Sequence, residues 1–240
     1  MKQAIILAGG RGERMRPLTE DRPKCMINVL GSPVMGYQLR WLRVYGIERA
    51  VVACGYMHEM IQEYFGNGAK YGVKLEYVVE QKLLGRGGAL KRAWLEAMEG
   101  EDTVLCINGD HVCNLSIKDL LDFHTARKPF ASIVTVPLRS PYGIIDVGDD
   151  DTISGFTEKP ELPYGVNAGI YIMDRRIVEK LPDIGDHETQ TFPQLAKQGL
   201  LKSFRSRCFW RTVDTVKDVN ELNNELENLL IGSFLEAPRT

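Results

Sequence analysis

The residues best suited to chemistry lie near the N-terminus, in the segment LAGGRGERMRPLTEDRPK at 7–24. A glycine-rich turn follows an apolar run there, and glycines allow backbone N–H groups to approach a ligand closely. Several such N–H groups form a concavity that binds anions. Arg14 and Lys24 can then reach different oxygens of a polyphosphate, arginine as a planar fork and lysine as a point charge. The segment therefore indicates a phosphate site.

The glycines alone allow a second interpretation. A basic surface loop with solvated arginines fits them about as well as a ligand site, because a partial G-x-G motif is weak. A dinucleotide-binding turn begins in the same way, but the third glycine of that motif is missing. The missing glycine argues against a nicotinamide or flavin cofactor.

The composition shows that this positive charge is local. The chain has 240 residues, 26% of them charged, and a formal net charge of -2, so no overall basic field favours nucleic acid or an anionic membrane. The five cysteines show no zinc-site spacing. The sequence shows neither a signal peptide nor an apolar segment of membrane-spanning length. We expect a reduced, cytoplasmic protein.

Apolar runs alternate with helical patterns through the first half of the chain. The predicted strands are Gln3–Ala8, Arg49–Ala53, Lys74–Val79 and Val104–Ile107. Helices are predicted to begin at Ser32-Pro33, at Tyr56, after GRGG at 85–88, and at Ser116. This alternation predicts a parallel sheet covered by helices on both faces. Ligands of such sheets lie at the carboxyl ends of the strands, where the glycine turn begins.

The pattern changes after Phe130. Strand-like segments dominate (ASIVTVPL, YGIIDV, TISGFTEK and VNAGIYIM), which predicts a mixed sheet with antiparallel strands. No linker, low-complexity segment or internal repeat divides the chain. We expect a single domain over 1–240, with a Rossmann-like half at 1–130 and a second half at 131–240 that includes a C-terminal helix.

The segment at 7–24 resembles the signature of the sugar-1-phosphate nucleotidylyltransferases, the nucleotide-sugar pyrophosphorylases. The matching residues are Gly9, Gly10, Gly12, Arg14, Pro17, Leu18, Thr19, Pro23 and Lys24. Glu13 and Met15 replace the usual threonine and leucine. The resemblance implies an α/β, Rossmann-like three-layer nucleotidyltransferase fold with a mixed, mostly parallel sheet. We expect no β-helix extension of the kind that several members carry.

Further motifs resemble the same family in the same order along the chain. They are NGD at 108–110, YG at 142–143, FTEKP at 156–160, VNAGIYIM at 166–173 and CFWRTVDT at 208–215. The resemblance implies transfer of a nucleoside monophosphate from a nucleoside triphosphate (NTP) to a sugar 1-phosphate, with release of pyrophosphate. The first half would bind the nucleotide and the second half the sugar phosphate.

The resemblance also assigns roles to single residues. The catalytic residues would be Arg14, Lys24 and Lys159. The nucleotide would contact Leu7, Ala8, Gly9, Gly10, Gly12, Arg14, Lys24, Glu80, Gly85, Arg86 and Asn108. The sugar phosphate would contact Asp110, Tyr142, Gly143, Glu158, Lys159, Asn167 and Gly169.

Asp110 and Asp214 are the implied ligands of Mg²⁺, which takes few protein carboxylates beside phosphate oxygens and water. Asp110 ends the NGD motif. Asp214 lies two residues beyond Thr212, the position where many guanylyl-transferring members have an aspartate. The VDT sequence at Asp214 is similar to a motif of the glucose-1-phosphate cytidylyltransferases. Either aspartate alone would more often be a cap or turn residue.

The base and the sugar are the least determined features. An ionised Glu80 only accepts hydrogen bonds, and guanine offers two adjacent donors. Arg86 suits O6 and N7 of guanine, or could hold a phosphate or close the loop. The segment around both residues also resembles that of the mannose- and heptose-1-phosphate guanylyltransferases, which favours GTP. A cytidylyl- or uridylyltransferase acting on glucose 1-phosphate is the alternative.

Other classes of protein agree less well with the residues of this sequence. A non-catalytic nucleotide-sugar-binding subunit usually lacks one of the lysines or metal acids, whereas Lys24, Asp110, Lys159 and Asp214 are all present. A glycosyltransferase of similar fold would not need the basic signature, because it releases no pyrophosphate. The expected partners are an NTP and a sugar 1-phosphate, without nucleic acid or membrane. A homodimer is an expectation from the family alone.

Overall fold

The computed structural model describes residues 1–98 and 100–228. The strands within them are β1 (Gln3–Ala8), β2 (Asn28–Val29), β3 (Ser32–Pro33), β4 (Arg49–Cys54), β5 (Lys74–Val79), β6 (Thr103–Asn108), β7 (His111–Cys113), β8 (Ala131–Arg139), β9 (Ile144–Val147), β10 (Ile153–Thr157), β11 (Glu161–Asp174), β12 (Leu201–Arg205) and β13 (Trp210–Thr212). The α-helices are α1 (Val34–Val44), α2 (His58–Phe65), α3 (Gly85–Ala97), α4 (Ile117–Arg127), α5 (Thr191–Lys197) and α6 (Val216–Asn228). Short 3₁₀ helices lie at Glu13–Met15, Lys24–Met26, Ala69–Tyr71 and Arg175–Lys180.

Seven strands form one sheet in the order β12-β8-β11-β6-β1-β4-β5. The strands β6, β1, β4 and β5 are mutually parallel, and β12 is parallel to β8. The long strand β11 runs antiparallel to both of its neighbours, β6 and β8. The predicted mixed, mostly parallel sheet is therefore confirmed. The change of pattern after Phe130 corresponds to the antiparallel part of that sheet.

Helices cover both faces of the sheet because successive side chains of a strand point to opposite faces. Ile5 and Ile6 are neighbours in β1 and both are completely buried. Ile6 packs in a cluster with residues of α1, α2 and α4, whereas Ile5 packs with residues of α3 and α5. The middle of β1 is thus apolar on both faces, as two covered faces require. The three-layer arrangement fixes the strand ends that carry the candidate site.

Three helix starts differ from the sequence prediction. The helix α2 begins at His58, two residues after the predicted Tyr56, because Tyr56 and Met57 form a turn. Ser32 and Pro33 pair with β2 in a short antiparallel ladder, and α1 begins one residue later. The GRGG segment does not precede α3 but forms its first turn. Its glycines are needed there for close packing, since a Cβ on Gly88 would come 2.4 Å from the carbonyl oxygen of Asp183. The predicted start of α4 is confirmed, because the Ser116 hydroxyl accepts a hydrogen bond from the backbone N–H of Asp119.

The second half also contains a hairpin, β9–β10, outside the main sheet. Val147, Ile153 and Phe156 on this hairpin are each at least 60% exposed. The C-terminal helix α6 is described to Asn228, and the rest of the predicted second half lies outside the described residues. None of the helices within 1–98 and 100–228 has both the length and the apolar character that crossing a membrane requires.

Candidate active site

The candidate site is a cleft of about 220 Å³ at the carboxyl ends of β1, β5 and β6. Parallel register places Leu7 beside both Ala53 and Asn108, so the loops after these strands converge. Nine of the predicted nucleotide-binding residues line the cleft: Leu7, Ala8, Gly9, Gly10, Lys24, Glu80, Gly85, Arg86 and Asn108. Asp110 lines it as well. The sheet therefore brings together residues that are separated by up to 103 positions in the sequence.

The glycines of the first loop have different surroundings. A Cβ on Gly9 would come 2.5 Å from Oε1 of Glu80, so the Glu80 carboxyl lies directly against this glycine. Around Gly10 the described chain leaves open space, with no atom within 4 Å of an added Cβ. Gly12 adopts φ +62°, in the left-handed region that favours glycine, and its carbonyl accepts a hydrogen bond from the Thr19 hydroxyl. The loop thus presents its backbone to the cleft at Gly10.

Lys24 lies between the two predicted metal acids. Its Nζ is 2.7 Å from Oδ2 of Asp110 and 2.8 Å from Oδ1 of Asp214. Burial lowers the pKa of Lys24, but the two carboxylates outweigh this effect and hold the pKa above its usual value. Burial raises the pKa of Asp214, but the hydrogen bond and positive charge of Lys24, together with Thr212 and Arg14, outweigh burial and leave this pKa lowered. Lys24 and Asp214 are therefore both charged at neutral pH.

Arg14 lies at the rim of this cluster. Its Nη2 is 3.3 Å from Oδ1 of Asp214, and its side chain is 84% exposed. A long, mostly exposed arginine can move to meet an anion at little cost, because exposed ion pairs contribute only about 0–1 kcal/mol. Arg14 can therefore turn towards an anion that approaches this cluster.

The same carboxylates match the donors that Mg²⁺ prefers. Asp110 and Asp214 reach one ammonium group from two separate loops, so their oxygens converge on a single point. Within the described residues no group of three or more His, Cys, Asp and Glu side chains could hold a metal ion. Two carboxylates suit a magnesium ion that completes its coordination with phosphate oxygens and water. The donor set fits such an ion better than a metal site made by the protein alone.

Two of the predicted sugar-binding residues join the cleft through Asn108. Gly169 adopts φ +68°, and a Cβ there would come 2.5 Å from Nδ2 of Asn108. Asn167 accepts a hydrogen bond from the backbone N–H of Gly169 through its Oδ1, at 3.0 Å. The start of the VNAGIYIM segment is thereby held against the end of β6.

The remaining sugar-side residues lie on or beside the β9–β10 hairpin. Tyr142 is 76% exposed, and Gly143 lies so close to Glu158 that an added Cβ would be 3.0 Å from Oε2. Glu158 and Lys159 are exposed, and neither takes part in an ion pair within the described part of the chain. The structure therefore brings Gly143 and Glu158 together but shows no contact of Lys159 with Lys24 or Asp110.

The sequence analysis did not predict two of the contacts at the cleft. Gln38 on α1 is only 2% exposed, and its Nε2 donates to the carbonyl oxygens of Asn108 and His111, at 2.8 and 3.0 Å. These carbonyls flank the turn that carries Asp110, so Gln38 braces that turn. Its position between Tyr37 and Leu39 in an apolar helix was the available signal. The second contact is that of Arg86, whose Nη2 lies 2.5 Å from Oδ2 of Asp186 and 2.7 Å from Oε2 of Glu188.

Comparisons with known proteins concern the family and the fold of the chain. A family model described as nucleotidyl transferase matches residues 3–228. The D-glycero-alpha-D-manno-heptose 1-phosphate guanylyltransferase of Aneurinibacillus thermoaerophilus is 33% identical over 233 residues, which cover 95% of this chain and 100% of the relative. The crystal structure of HddC from Yersinia pseudotuberculosis superposes with a TM-score of 0.77 at 25% identity, covering 94% of this chain and 100% of that one.

A third relative is longer than this chain. The mannose-1-phosphate guanylyltransferase of Mycobacterium tuberculosis is 30% identical over 223 residues, which cover 90% of this chain. The matched region is 62% of the relative. The chain therefore spans less than two thirds of the length of that relative.

Proposed function

We propose, since the chain belongs to the nucleotidyl transferase family, that it transfers a nucleoside monophosphate from an NTP to a sugar 1-phosphate and releases pyrophosphate. GTP is the favoured nucleotide and a mannose- or heptose-type 1-phosphate the favoured acceptor, in line with the names of the relatives. The observation that carries the proposal is Lys24 held between Asp110 and Asp214 at the edge of a glycine-lined cleft.

The reaction is an exchange of phosphate bonds. An oxygen of the sugar 1-phosphate attacks the α-phosphorus in line and forms a new P–O bond. The bond from the α-phosphorus to the bridging oxygen breaks, and pyrophosphate leaves with the electron pair. The attacking oxygen is already ionised at neutral pH, so no protein base has to remove a proton. The difficulty is to bring two anions together, which makes positioning and charge neutralisation the main sources of catalysis.

The basic residues divide this task. The backbone N–H groups of the glycine loop and Arg14 hold the β- and γ-phosphates that leave. Lys24, whose raised pKa keeps it protonated, contacts the α-phosphate region, where charge develops in the transition state. Lys159, whose side chain is exposed, binds the incoming phosphate.

Asp110 and Asp214 would hold a magnesium ion. When bound, the ion supplies positive charge to the phosphate oxygens and helps to orient them. Without a nucleotide, Lys24 neutralises the same two carboxylates. When a nucleotide binds, its phosphate oxygens would attract Lys24. Asp110 and Asp214 would then be able to bind the magnesium ion.

Glu80 is the main candidate for recognition of the base. Its carboxyl lies against Gly9 inside the cleft, and its Oε2 accepts a hydrogen bond from the backbone N–H of Leu84 at 2.9 Å. The other oxygen is left to accept from the N1–H and 2-amino groups of guanine. Arg86 supports this choice less directly, because its guanidinium already binds two carboxylates.

A substrate panel tests the proposal. Purified protein is incubated with each of four NTPs and with mannose, glucose or heptose 1-phosphate, and both pyrophosphate and the sugar nucleotide are quantified. We expect the highest kcat/KM for GTP with mannose or heptose 1-phosphate. Equal or better use of CTP or UTP with glucose 1-phosphate would instead support the alternative suggested by the sequence around Asp214. Binding of a sugar nucleotide without any turnover would show a non-catalytic protein.

A further inference from the structure

Glu188 joins the two sides of the cleft through a short chain of polar contacts. Its Oε2 lies 2.7 Å from Nη2 of Arg86, which belongs to the first turn of α3 on the nucleotide side. Its Oε1 accepts hydrogen bonds from the Tyr171 hydroxyl at 2.7 Å and from Nδ2 of Asn167 at 2.9 Å. Asn167 is one of the predicted sugar-binding residues. A single carboxylate therefore touches both halves of the candidate site.

The segment that carries Glu188 is fastened to the start of α3 by its backbone as well. The N–H of Gly185 donates to the carbonyl of Leu84 at 2.7 Å, and the carbonyl of Gly185 accepts from Gly87 at 2.9 Å. The absence of a side chain at Gly87 permits this approach, since a Cβ there would come 2.8 Å from the backbone nitrogen of His187. A shift of the α3 start is therefore transmitted to the segment around Glu188.

On the sugar side, hydrogen bonds to Glu188 restrict the side chains of Tyr171 and Asn167. Tyr171 is completely buried, and burial, with the nearby Glu188 carboxylate, raises the pKa of its hydroxyl well above the usual value. The hydroxyl therefore stays protonated and donates to Glu188. Asn167 donates to the same oxygen and also holds the backbone N–H of Gly169, which packs on Asn108 in the cleft wall. Nδ2 of Asn167 donates to the Tyr171 hydroxyl as well, at 2.9 Å. The orientation of the Asn167 amide thus depends on Glu188 both directly and through the hydroxyl that Glu188 holds.

An ionised carboxylate suits this position because it only accepts hydrogen bonds. One oxygen serves Tyr171 and Asn167 while the other meets the Arg86 guanidinium. A glutamine of the same size has only one acceptor oxygen. That oxygen can accept either from Tyr171 and Asn167 or from Arg86, and the amide N–H₂ group would then face the donors on the other side. Replacement of the carboxylate by an amide therefore breaks the link without removing side-chain volume.

We propose that Glu188 is a positioning residue that couples nucleotide binding at the α3 start to the orientation of Asn167 on the sugar side. The inference rests on the proposed function, because it concerns how the same cleft arranges its two substrates. Its distinctive consequence is that Arg86, on the nucleotide side, affects the affinity for the sugar 1-phosphate through Glu188.

The test compares Glu188→Gln, Arg86→Met and the double variant with the unmodified protein, by separate measurement of kcat and of KM for each substrate. We expect the KM for the sugar 1-phosphate to rise about tenfold in Glu188→Gln and about fivefold in Arg86→Met, with kcat changed less than about threefold. The double variant should resemble Glu188→Gln, because both single changes break the same link.

Lys91→Met is the matched control. Lys91 also connects α3 to the segment before Glu188, through an ion pair with Asp183 at 2.6 Å, but it has no contact with Asn167 among the described residues. Its loss should leave the KM for the sugar 1-phosphate unchanged. Arg86 is 43% exposed, so Arg86→Met keeps the test decisive if Glu188→Gln does not fold.

Two results would overturn the inference. A fall in kcat with both KM values unchanged would indicate a purely structural role for Glu188, and additive effects in the double variant would show that Arg86 acts independently. Failure of the proposed function is recognised separately, because the unmodified protein would then form no sugar nucleotide from any substrate pair.

Discussion

The phosphate side and the hairpin side of the candidate site differ in how firmly the folded chain holds their side chains. On the phosphate side, Lys24 contacts Asp110 and Asp214, and buried Gln38 braces the turn that carries Asp110. On the hairpin side, Glu158 and Lys159 are exposed and take part in no ion pair of the described chain. The first region is already arranged for charge stabilisation before any substrate arrives.

This difference indicates where each kind of substitution will act. A preorganised charge cluster stabilises the transition state without the cost of reorganising at the moment of reaction. Because Glu158 and Lys159 are exposed and unpaired with other charges in the described chain, we expect their contacts with the sugar phosphate to form only when that substrate binds. Changes in the cluster should therefore reduce turnover, whereas changes on the hairpin should reduce affinity for the sugar phosphate.

The largest effect is expected from the cluster. Lys24→Ala and Asp110→Ala should each lower kcat/KM by about 10³-fold or more, because the first removes a positive charge at the reacting phosphate and the second removes a ligand of the implied magnesium ion. Thermal unfolding should still be cooperative, since both side chains are partly exposed. Pyrophosphate release measures the loss, and Lys118→Ala, in an exposed ion pair on α4, is the control. Full activity in either variant would remove the cluster from the mechanism.

A smaller effect is expected from the hairpin side. Lys159→Ala should lower kcat/KM for the sugar 1-phosphate by about 10²-fold, since one charge-assisted phosphate contact is lost. The Kd of the NTP, measured by titration calorimetry, and the melting temperature should not change. Lys202→Ala is the control, as Lys202 is also exposed but lies on β12. An equal loss of affinity for the NTP and for the sugar 1-phosphate would contradict the division between the two regions.

The smallest effect is expected at Glu80. Glu80→Gln should reduce the preference for GTP over other NTPs by about tenfold, because an amide replaces one acceptor by a donor. The preference is measured as a ratio of kcat/KM values in competing-substrate assays. An unchanged ratio would show that Glu80 does not select the base.

The same variant has an expected pH dependence. Burial raises the pKa of Glu80 above 4.5, so its protonated form contributes stability that is fully present below pH 4.5 and is lost as the pH rises through the raised pKa. At neutral pH, Glu80→Gln should therefore be as stable as the unmodified protein or more stable, which differential scanning calorimetry measures. The KM for GTP should rise on acidification only when Glu80 is present. A less stable variant would mean that the charged form is favoured by the fold.

The sequence predicted the sheet and the glycine loop because both depend on local patterns. The apolar runs of β1, β4, β5 and β6 lie where their composition indicates a doubly covered sheet. Glu188 could not be found in this way, because its contact with Arg86 joins residues that are far apart in the chain and is created only by packing. The start of α1 was misplaced for a similar reason, since Ser32 pairs with a neighbouring strand rather than capping the helix.

Glycine at position 10 and glycine at positions 87 and 88 meet different physical constraints. The contacts of Gly87 and Gly88 with the segment at 182–187 leave no room for a methyl group, so neither position can carry a side chain unless the backbone moves. Around Gly10 the described chain itself would admit a larger side chain. A side chain at Gly10 would therefore compete with whatever enters the cleft, whereas a side chain at 87 or 88 would disturb the packing of the fold.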